Sequence, residues 1–363
     1  MFCRNVYAAD DLELKSQAAV LIEAESGRVL WEKNSENPMA MASTTKIMTA
    51  VYTIEHADLN DIVVVGKNAA AAPRVKLFLS EGEEVKLKDL LYALMLKSSN
   101  DAAVAIAEHI CGSSEEFCEK MTEEARRIGA KDTVFKTPNG LDLEDHHSTA
   151  SDMAVITKYA LQNETFREII KTPSYSFETS KRSYSVTNTD RLLSEYTGAI
   201  GVKTGYTGKA GHCFVGAAER DGMTLISVVL ASGWGAAGKA NKWTDTKKLL
   251  DYGFNNFEIK EVVKEGNEAG EILVLNGDEQ SAKVVFEKGL SLPLKEGEQT
   301  EIEVNCPETE APVYKGDIVG FADIYVDGEK QESVNLVSAE TVERHTFDYL
   351  FKKIINRWLN MTY

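Results

Sequence analysis

A chain of 363 residues with 43% apolar and 27% charged residues has the composition of a folded protein too long for one small core, and two domains are expected. Its formal net charge of −17 repels phosphate backbones and argues against nucleic acid as a partner. No stretch approaches the roughly 20 apolar residues of a spanning helix, and no Cys/His spacing suits a metal, so neither metal nor cofactor is expected.

The first nine residues, MFCRNVYAA, end like a signal-peptide cleavage site, with Val6 and Ala8 at the −3 and −1 places. No apolar h-region precedes them, so 1–9 reads as a signal-peptide remnant and export is expected. Cys3 would leave with it, and Cys111, Cys118, Cys213 and Cys306 read as separate thiols rather than a disulfide framework.

Residues 17–33 alternate around a Ser-Gly turn and predict a hairpin. An apolar run from Ser43 to Ile54 predicts a helix, followed by helices over 87–97, 101–110, 115–128 and 151–162. Between the last two lies FKTPNGLDLEDHHSTA, a loop rich in turn residues. Strands return at Ala199–Thr204, HCFVGAAE and MTLISVVLA, the last two joined by Arg220-Asp221-Gly222. A helix over about 240–252 is predicted to end at Gly253 in the C′ position. Strands at both ends of a helical middle predict an α+β fold: an antiparallel sheet with a helical cluster over 10–256.

From 257 to 340, short Val/Ile-rich runs between Gly/Asp/Glu turns predict a small all-β, sandwich-like domain. Residues 341–363 predict an amphipathic C-terminal helix. Phe347, Leu350, Phe351, Ile354, Ile355, Trp358 and Leu359 make one apolar stripe, with Arg344, Lys352, Lys353 and Arg357 off it. Such a helix fits an anionic membrane surface through 344–359, the other reading being a helix docked on its own domain.

Three short patterns carry the chemistry. Ser43-Thr44-Thr45-Lys46 is the single S-x-x-K, and Lys203-Thr204-Gly205 the single K-T-G. Ser98-Ser99-Asn100 is one of three S-x-N strings, beside Ser35-Glu36-Asn37 and Ser333-Val334-Asn335. Singly each is bland, since Ser43 suits a helix cap and Lys203 an edge-strand charge. Together, in order and on the right elements, they describe a nucleophile with its base. An alcohol attacks only when a neighbouring base takes its proton. Residues i and i+3 share a helix face, so the Lys46 amine reaches Ser43 Oγ. Burial beside another cation, Lys203, is expected to keep that amine neutral. Ser98 can relay protons to the leaving amine, and Asn100 can fix Lys46 through its carbonyl. Gly205 is expected to let substrate backbone lie along the strand edge.

This ordered set resembles the penicilloyl serine transferases, the penicillin-binding proteins and serine β-lactamases. The stretches MASTTKIMTA, LKSSNDAAVAIAEHI, FKTPNGLDLEDHHSTASDMA and GVKTGYTGKAGHCFVGAAERDGMTLISVVL are similar to the low-molecular-mass D-alanyl-D-alanine carboxypeptidases. The resemblance spans about 12–256, and the β domain and tail are similar in kind. It implies Ser43 as acylated nucleophile, Lys46 as base, Ser98 as relay, and Asn100 and Lys203 as organisers of the site. It further implies that Thr204 binds the substrate carboxylate and that the N–H groups of Ser43 and Tyr206 form an oxyanion hole. The role of the Tyr206 side chain stays open. Where the family often has an arginine for that carboxylate, GWGAAGKANKWTDTKK has none; Lys242 stands nearest. The implied partners are peptidoglycan stem peptides ending in D-Ala-D-Ala and β-lactam antibiotics. The implied location is the outer face of the cytoplasmic membrane or the periplasmic or extracellular space. Two other readings stand beside this one. A β-lactamase is disfavoured because no E-x-x-L-N string occurs between 101 and 202. A non-catalytic peptidoglycan-binding or sensor module has no need of both Ser43 and Lys46.

Overall fold

The computed structural model describes residues 12–359, so the signal-peptide reading of 1–9 lies outside the described residues. The chain divides between Asn255 and Asn256 into two compact units.

The first unit opens with the predicted hairpin, β1 (Ala18–Glu23) and β2 (Val29–Lys33). A 3-10 turn, Ala42–Thr45, then leads into α1 (Lys46–His56). The helical middle comprises α2 (Lys67–Ala71), α3 (Leu87–Tyr92), α4 (Asn100–Cys111), α5 (Ser114–Arg127), α6 (Ala150–Leu161) and α7 (Glu164–Lys171). Two small hairpins interrupt it, β3 (Ile62–Val64) with β4 (Glu84–Lys86), and β5 (Ser174–Glu178) with β6 (Ser183–Thr187). After α8 (Leu192–Glu195) come β7 (Ala199–Thr207), β8 (Gly211–Arg220), β9 (Met223–Leu230) and α9 (Gly235–Asn256).

The main sheet runs β2-β1-β9-β8-β7, with antiparallel neighbours throughout. It joins the start of the unit to its end, as the α+β reading expects, and leaves β7 as an edge strand. All six residues of β1 are buried, because both faces of the sheet are covered. Ala18, Val20 and Ile22 join the core shared with the helical cluster, while Leu21 faces α9 at Gly253. That contact corrects the predicted helix end. Gly253 lies inside α9, and a Cβ there would stand 2.4 Å from Leu225 Cδ1 and 2.9 Å from Leu21 Cδ2. The glycine is a place of close helix-to-sheet approach rather than a stop signal.

The predicted helix over 87–97 also changes character, widening into a π-helical turn over Ala93–Lys97 just before the Ser98 motif.

The second unit is all β up to its final helix. It contains β10 (Phe257–Val263), β11 (Glu268–Leu275), β12 (Ser281–Phe286), β13 (Leu290–Lys295), β14 (Thr300–Asn305), β15 (Thr309–Glu310), β16 (Ile318–Val326) and β17 (Glu329–Ser338). Six of these form a sheet ordered β14-β16-β17-β12-β11-β15, and β10 pairs with β13. Ile272, Val284, Leu292, Ile324, Val334 and Leu336 are among the side chains of its core. A last helix, α10 (Phe347–Leu359), carries exposed Phe347, Phe351, Ile354, Ile355, Trp358 and Leu359. No described helix is long and apolar enough to cross a membrane.

Candidate active site

Ser43 sits in the 3-10 turn, not at an α-helical cap; α1 itself begins only at Lys46. The preceding residue, Ala42, is left-handed at φ 50°, a strained conformation for a non-glycine residue. The turn brings Lys46 round under Ser43, so that Lys46 Nζ donates to Ser43 Oγ at 2.8 Å. Nζ also donates to Asn100 Oδ1 at 2.9 Å and to the Asn139 carbonyl, which accepts from Ser43 Oγ as well, at 3.2 Å. Three acceptors use every donor an ammonium has. Lys46 is nevertheless fully buried, and that burial, followed by the charge of Lys203, holds its pKa well below the ordinary lysine value, with Asp101 opposing. In its neutral form an amine placed so is able to accept the proton of Ser43 Oγ–H along the same contact.

Asn100 is the first residue of α4, and its contacts fix its rotamer. Its backbone N–H donates to the Val75 carbonyl at 2.7 Å and Nδ2 to the Pro73 carbonyl at 3.2 Å, leaving Oδ1 for Lys46. Ser98, two residues earlier, is left-handed at φ 65° and half-buried. No side-chain hydrogen bond ties it to Ser43 or Lys46 among the described residues. The structure thus joins Ser43, Lys46 and Asn100 directly and leaves Ser98 beside them.

Lys203 is buried on β7, and its Nζ donates to the Thr204 carbonyl at 3.1 Å. Burial, then Lys242, pushes its pKa down to about 7, with Asp190 opposing. Lys242 comes from α9, lies over the Trp243 ring at 4.6 Å, and is pushed down by burial to about 8. Asp190 is pushed up by burial to about 6, against the backbone N–H groups of Leu192 and Val202 and the two lysines. No motif points to this third charge. Thr204 Oγ1 lies 3.4 Å from Thr189 Oγ1. Tyr206 is exposed and packs on His212 with ring centroids 4.4 Å apart.

Gly205 also has a packing reason, beside the substrate access expected of it. A Cβ there would lie 3.0 Å from the Met41 carbonyl and 3.1 Å from both Ala42 Cβ and Ser43 N. The glycine is needed by the chain itself, to press β7 against the turn that carries Ser43.

The loop on the far side lies outside all three motifs. Asn139 contributes only its carbonyl, which no side-chain pattern reveals. His146 in the same loop contacts Thr45 Oγ1 through Nε2 at 3.0 Å and accepts from Lys136 N–H through Nδ1 at 2.9 Å. Burial pushes its pKa down to about 4, so it is a neutral strut under the Ser43 turn. The adjacent His146-His147 pair, in a chain with six histidines, was the available signal.

The family profile described as D-alanyl-D-alanine carboxypeptidase matches residues 5–233, and that of the penicillin-binding protein 5 C-terminal domain matches 257–344. The chain is 33% identical to D-alanyl-D-alanine carboxypeptidase DacF of Bacillus subtilis, covering 96% of this chain and 91% of the relative. It is 32% identical to D-alanyl-D-alanine carboxypeptidase DacC of Escherichia coli, covering 96% and 90%. Among solved structures, penicillin binding protein 5 from Haemophilus influenzae superposes with a TM-score of 0.78 at 31% identity, over 91% of this chain and 98% of that one. The chain belongs to the D-alanyl-D-alanine carboxypeptidase family of low-molecular-mass penicillin-binding proteins.

Proposed function

We propose that Ser43 opens peptides ending in D-Ala-D-Ala by attacking the carbonyl between the two D-alanines. The observation that carries this reading is the fully buried Lys46 amine bonded to Ser43 Oγ. Lys46 takes the hydroxyl proton as the Oγ–C bond forms. As the C–N bond breaks, Ser98 gives its hydroxyl proton to the leaving nitrogen and takes up the one held by Lys46, releasing D-alanine. Water then clears the acyl-enzyme, its proton returning by the same groups. The N–H groups of Ser43 and Tyr206 stabilise the developing oxyanion, a contribution of several kcal/mol where such donors have been removed; the packing of Gly205 on Ser43 N supports their convergence. One Asn100 amide hydrogen goes to Pro73, and the second serves the substrate's backbone carbonyl.

Thr204 with Lys203 and Lys242 receives the terminal carboxylate. Lys242 supplies a point charge without an arginine's two-pronged fork. A β-lactam, which also carries a carboxylate beside a reactive carbonyl, acylates Ser43 by the same route.

The protein acts outside the cytoplasm, on stem peptides, with α10 lying on the outer face of the cytoplasmic membrane. Exposed Phe347, Phe351, Ile354, Trp358 and Leu359 support this, together with the basic residues of 344–357 in the sequence. Arg344 is already paired with Glu310 at 3.2 Å.

Three outcomes are expected. Wild type releases D-alanine from diacetyl-Lys-D-Ala-D-Ala, and labelled penicillin persists on Ser43 for minutes by peptide mapping. Ser43→Ala does neither, and Lys46→Met lowers acylation on the order of 10²–10⁴-fold; a folded wild type without release sinks the carboxypeptidase reading. Second, kcat/KM falls as pH rises through 7 to 8, where Lys203 (about 7) and Lys242 (about 8) lose their charges, and KM carries the change. A substrate whose terminal carboxylate is amidated lacks that alkaline limb; an equal limb in both substrates contradicts the assignment. Third, the full chain floats with vesicles containing phosphatidylglycerol and a chain ending at 346 stays in solution. Equal flotation of the two removes the membrane role from the tail.

A further inference from the structure

The segment from Pro73 to Leu79 is held against the start of α4 at four points. Asn100 bonds the Pro73 and Val75 carbonyls, and the buried Asp101 carboxylate accepts the N–H groups of Leu77 at 3.0 Å and Leu79 at 3.1 Å. Since Asn100 also bonds Lys46, this ribbon stands one side chain away from the reacting centre. Leu79 turns inward and is buried. Arg74, Lys76 and Phe78 share the other side, because both cations lie over the Phe78 ring, Arg74 Cζ at 5.3 Å and Lys76 Nζ at 5.6 Å from its centroid.

Two features make this side unusual. Phe78 is half exposed and left-handed at φ 67°, a conformation unfavourable for a bulky residue, and the Asp101 clamp on both its neighbours imposes it. Arg74 and Lys76 form no ion pair with a described carboxylate, although the chain carries 57 acidic residues against 40 Lys and Arg. Lys76 Nζ is steadied instead by the Ala70 carbonyl at 2.9 Å. Cations held beside an aromatic face, without a carboxylate of their own, keep their field for a ligand.

We propose that Arg74 and Lys76, on the Phe78 platform, form an anion-recognising subsite for the acyl-donor half of the peptide. On this proposal the enzyme selects donors that carry a carboxylate on the N-terminal side of the D-Ala-D-Ala pair. The inference rests on the carboxypeptidase reading above, in which β7, with Lys203 and Lys242, takes the opposite end of the same peptide. The donor's aliphatic portion lies on the exposed Phe78 ring while its carboxylate meets the two cations.

The test uses four Lys-D-Ala-D-Ala peptides. In two, a succinyl group caps either the α or the ε amine and acetyl caps the other; their partners carry the matching succinamide, identical in size but uncharged. At low ionic strength at least one succinyl peptide is expected to exceed its own amide in kcat/KM by roughly two- to five-fold, the range of an exposed charge pair. Near 1 M salt that ratio approaches one, because the Debye length shrinks to about 3 Å. In Arg74→Ser combined with Lys76→Met, folding being checked by labelled penicillin on Ser43, the low-salt ratio also falls to about one. Ratios near one for both wild-type pairs, with all four peptides hydrolysed, overturn the subsite and leave the carboxypeptidase intact. A preference that survives in the folded double variant overturns the assignment to these residues. No hydrolysis of any peptide sinks the underlying reading instead.

Discussion

Burying the amine of Lys46 is the constraint on which the rest of the first unit depends. An isolated ammonium taken from water into a protein interior is strongly penalised, so the group either finds partners or gives up its proton. Here the site provides both options at once. Ser43 Oγ, Asn100 Oδ1 and the Asn139 carbonyl satisfy the charged form. Full burial and the nearby charge of Lys203 favour the neutral one. A group poised between two protonation states can accept a proton in one step and return it in the next, which is what a two-step acyl transfer requires.

Each element around the site can be understood as a means of holding that geometry. The 3-10 turn sets Ser43 over Lys46, and His146 braces Thr45 from the side loop. The start of α4 aims Asn100, and Asp101 beneath it clamps the 73–79 ribbon. The close approach of β7 at Gly205 brings Lys203 near enough to be felt. The chain tolerates left-handed Ala42 and Ser98 within this frame, each a conformation that costs about 1–3 kcal/mol and persists only where surrounding contacts over-determine it. Strain of this kind fits a turn that must present a hydroxyl rather than merely start a helix. Further out, Lys203, Asp190 and Lys242 share one buried region in which each feels the charge of the others, two basic groups against one acidic.

Much of this was readable in the residues. The sheet that joins 18–23 to 199–230 follows from apolar runs at both ends of a helical middle, and the three motifs mark Ser43, Lys46, Asn100 and Lys203 from residue types alone. What escaped had physical reasons. The β5–β6 hairpin, SYSFE and SYSVT, buries only Phe177 and Val186 among its ten residues, so its alternation carries little apolar signal. The helix α7 has eight residues and depends on Asn163 as its cap, a short-range cue that periodicity does not weigh. Asn139 acts through a backbone carbonyl, invisible to any reading of side chains. Asp190 lies 13 positions before Lys203 and comes to it only through the turn into β7. Gly253 marks close packing on the sheet rather than a helix end, and Gly205 has a packing reason that its sequence neighbours do not reveal. A glycine's reason lies in its neighbours in space, which a sequence does not display.

The most direct measurement of the central claim is the titration of Lys46 itself, by NMR of protein labelled at lysine Cε, with Lys46→Arg to assign the resonance. Lys46 is expected to release its proton well below the ordinary lysine value of about 10.4. Replacing Lys203 by methionine is expected to move that titration upward, because one of the two causes of the depression is removed. A Lys46 that titrates in the ordinary lysine range, in a folded protein that still takes penicillin on Ser43, would contradict the claim.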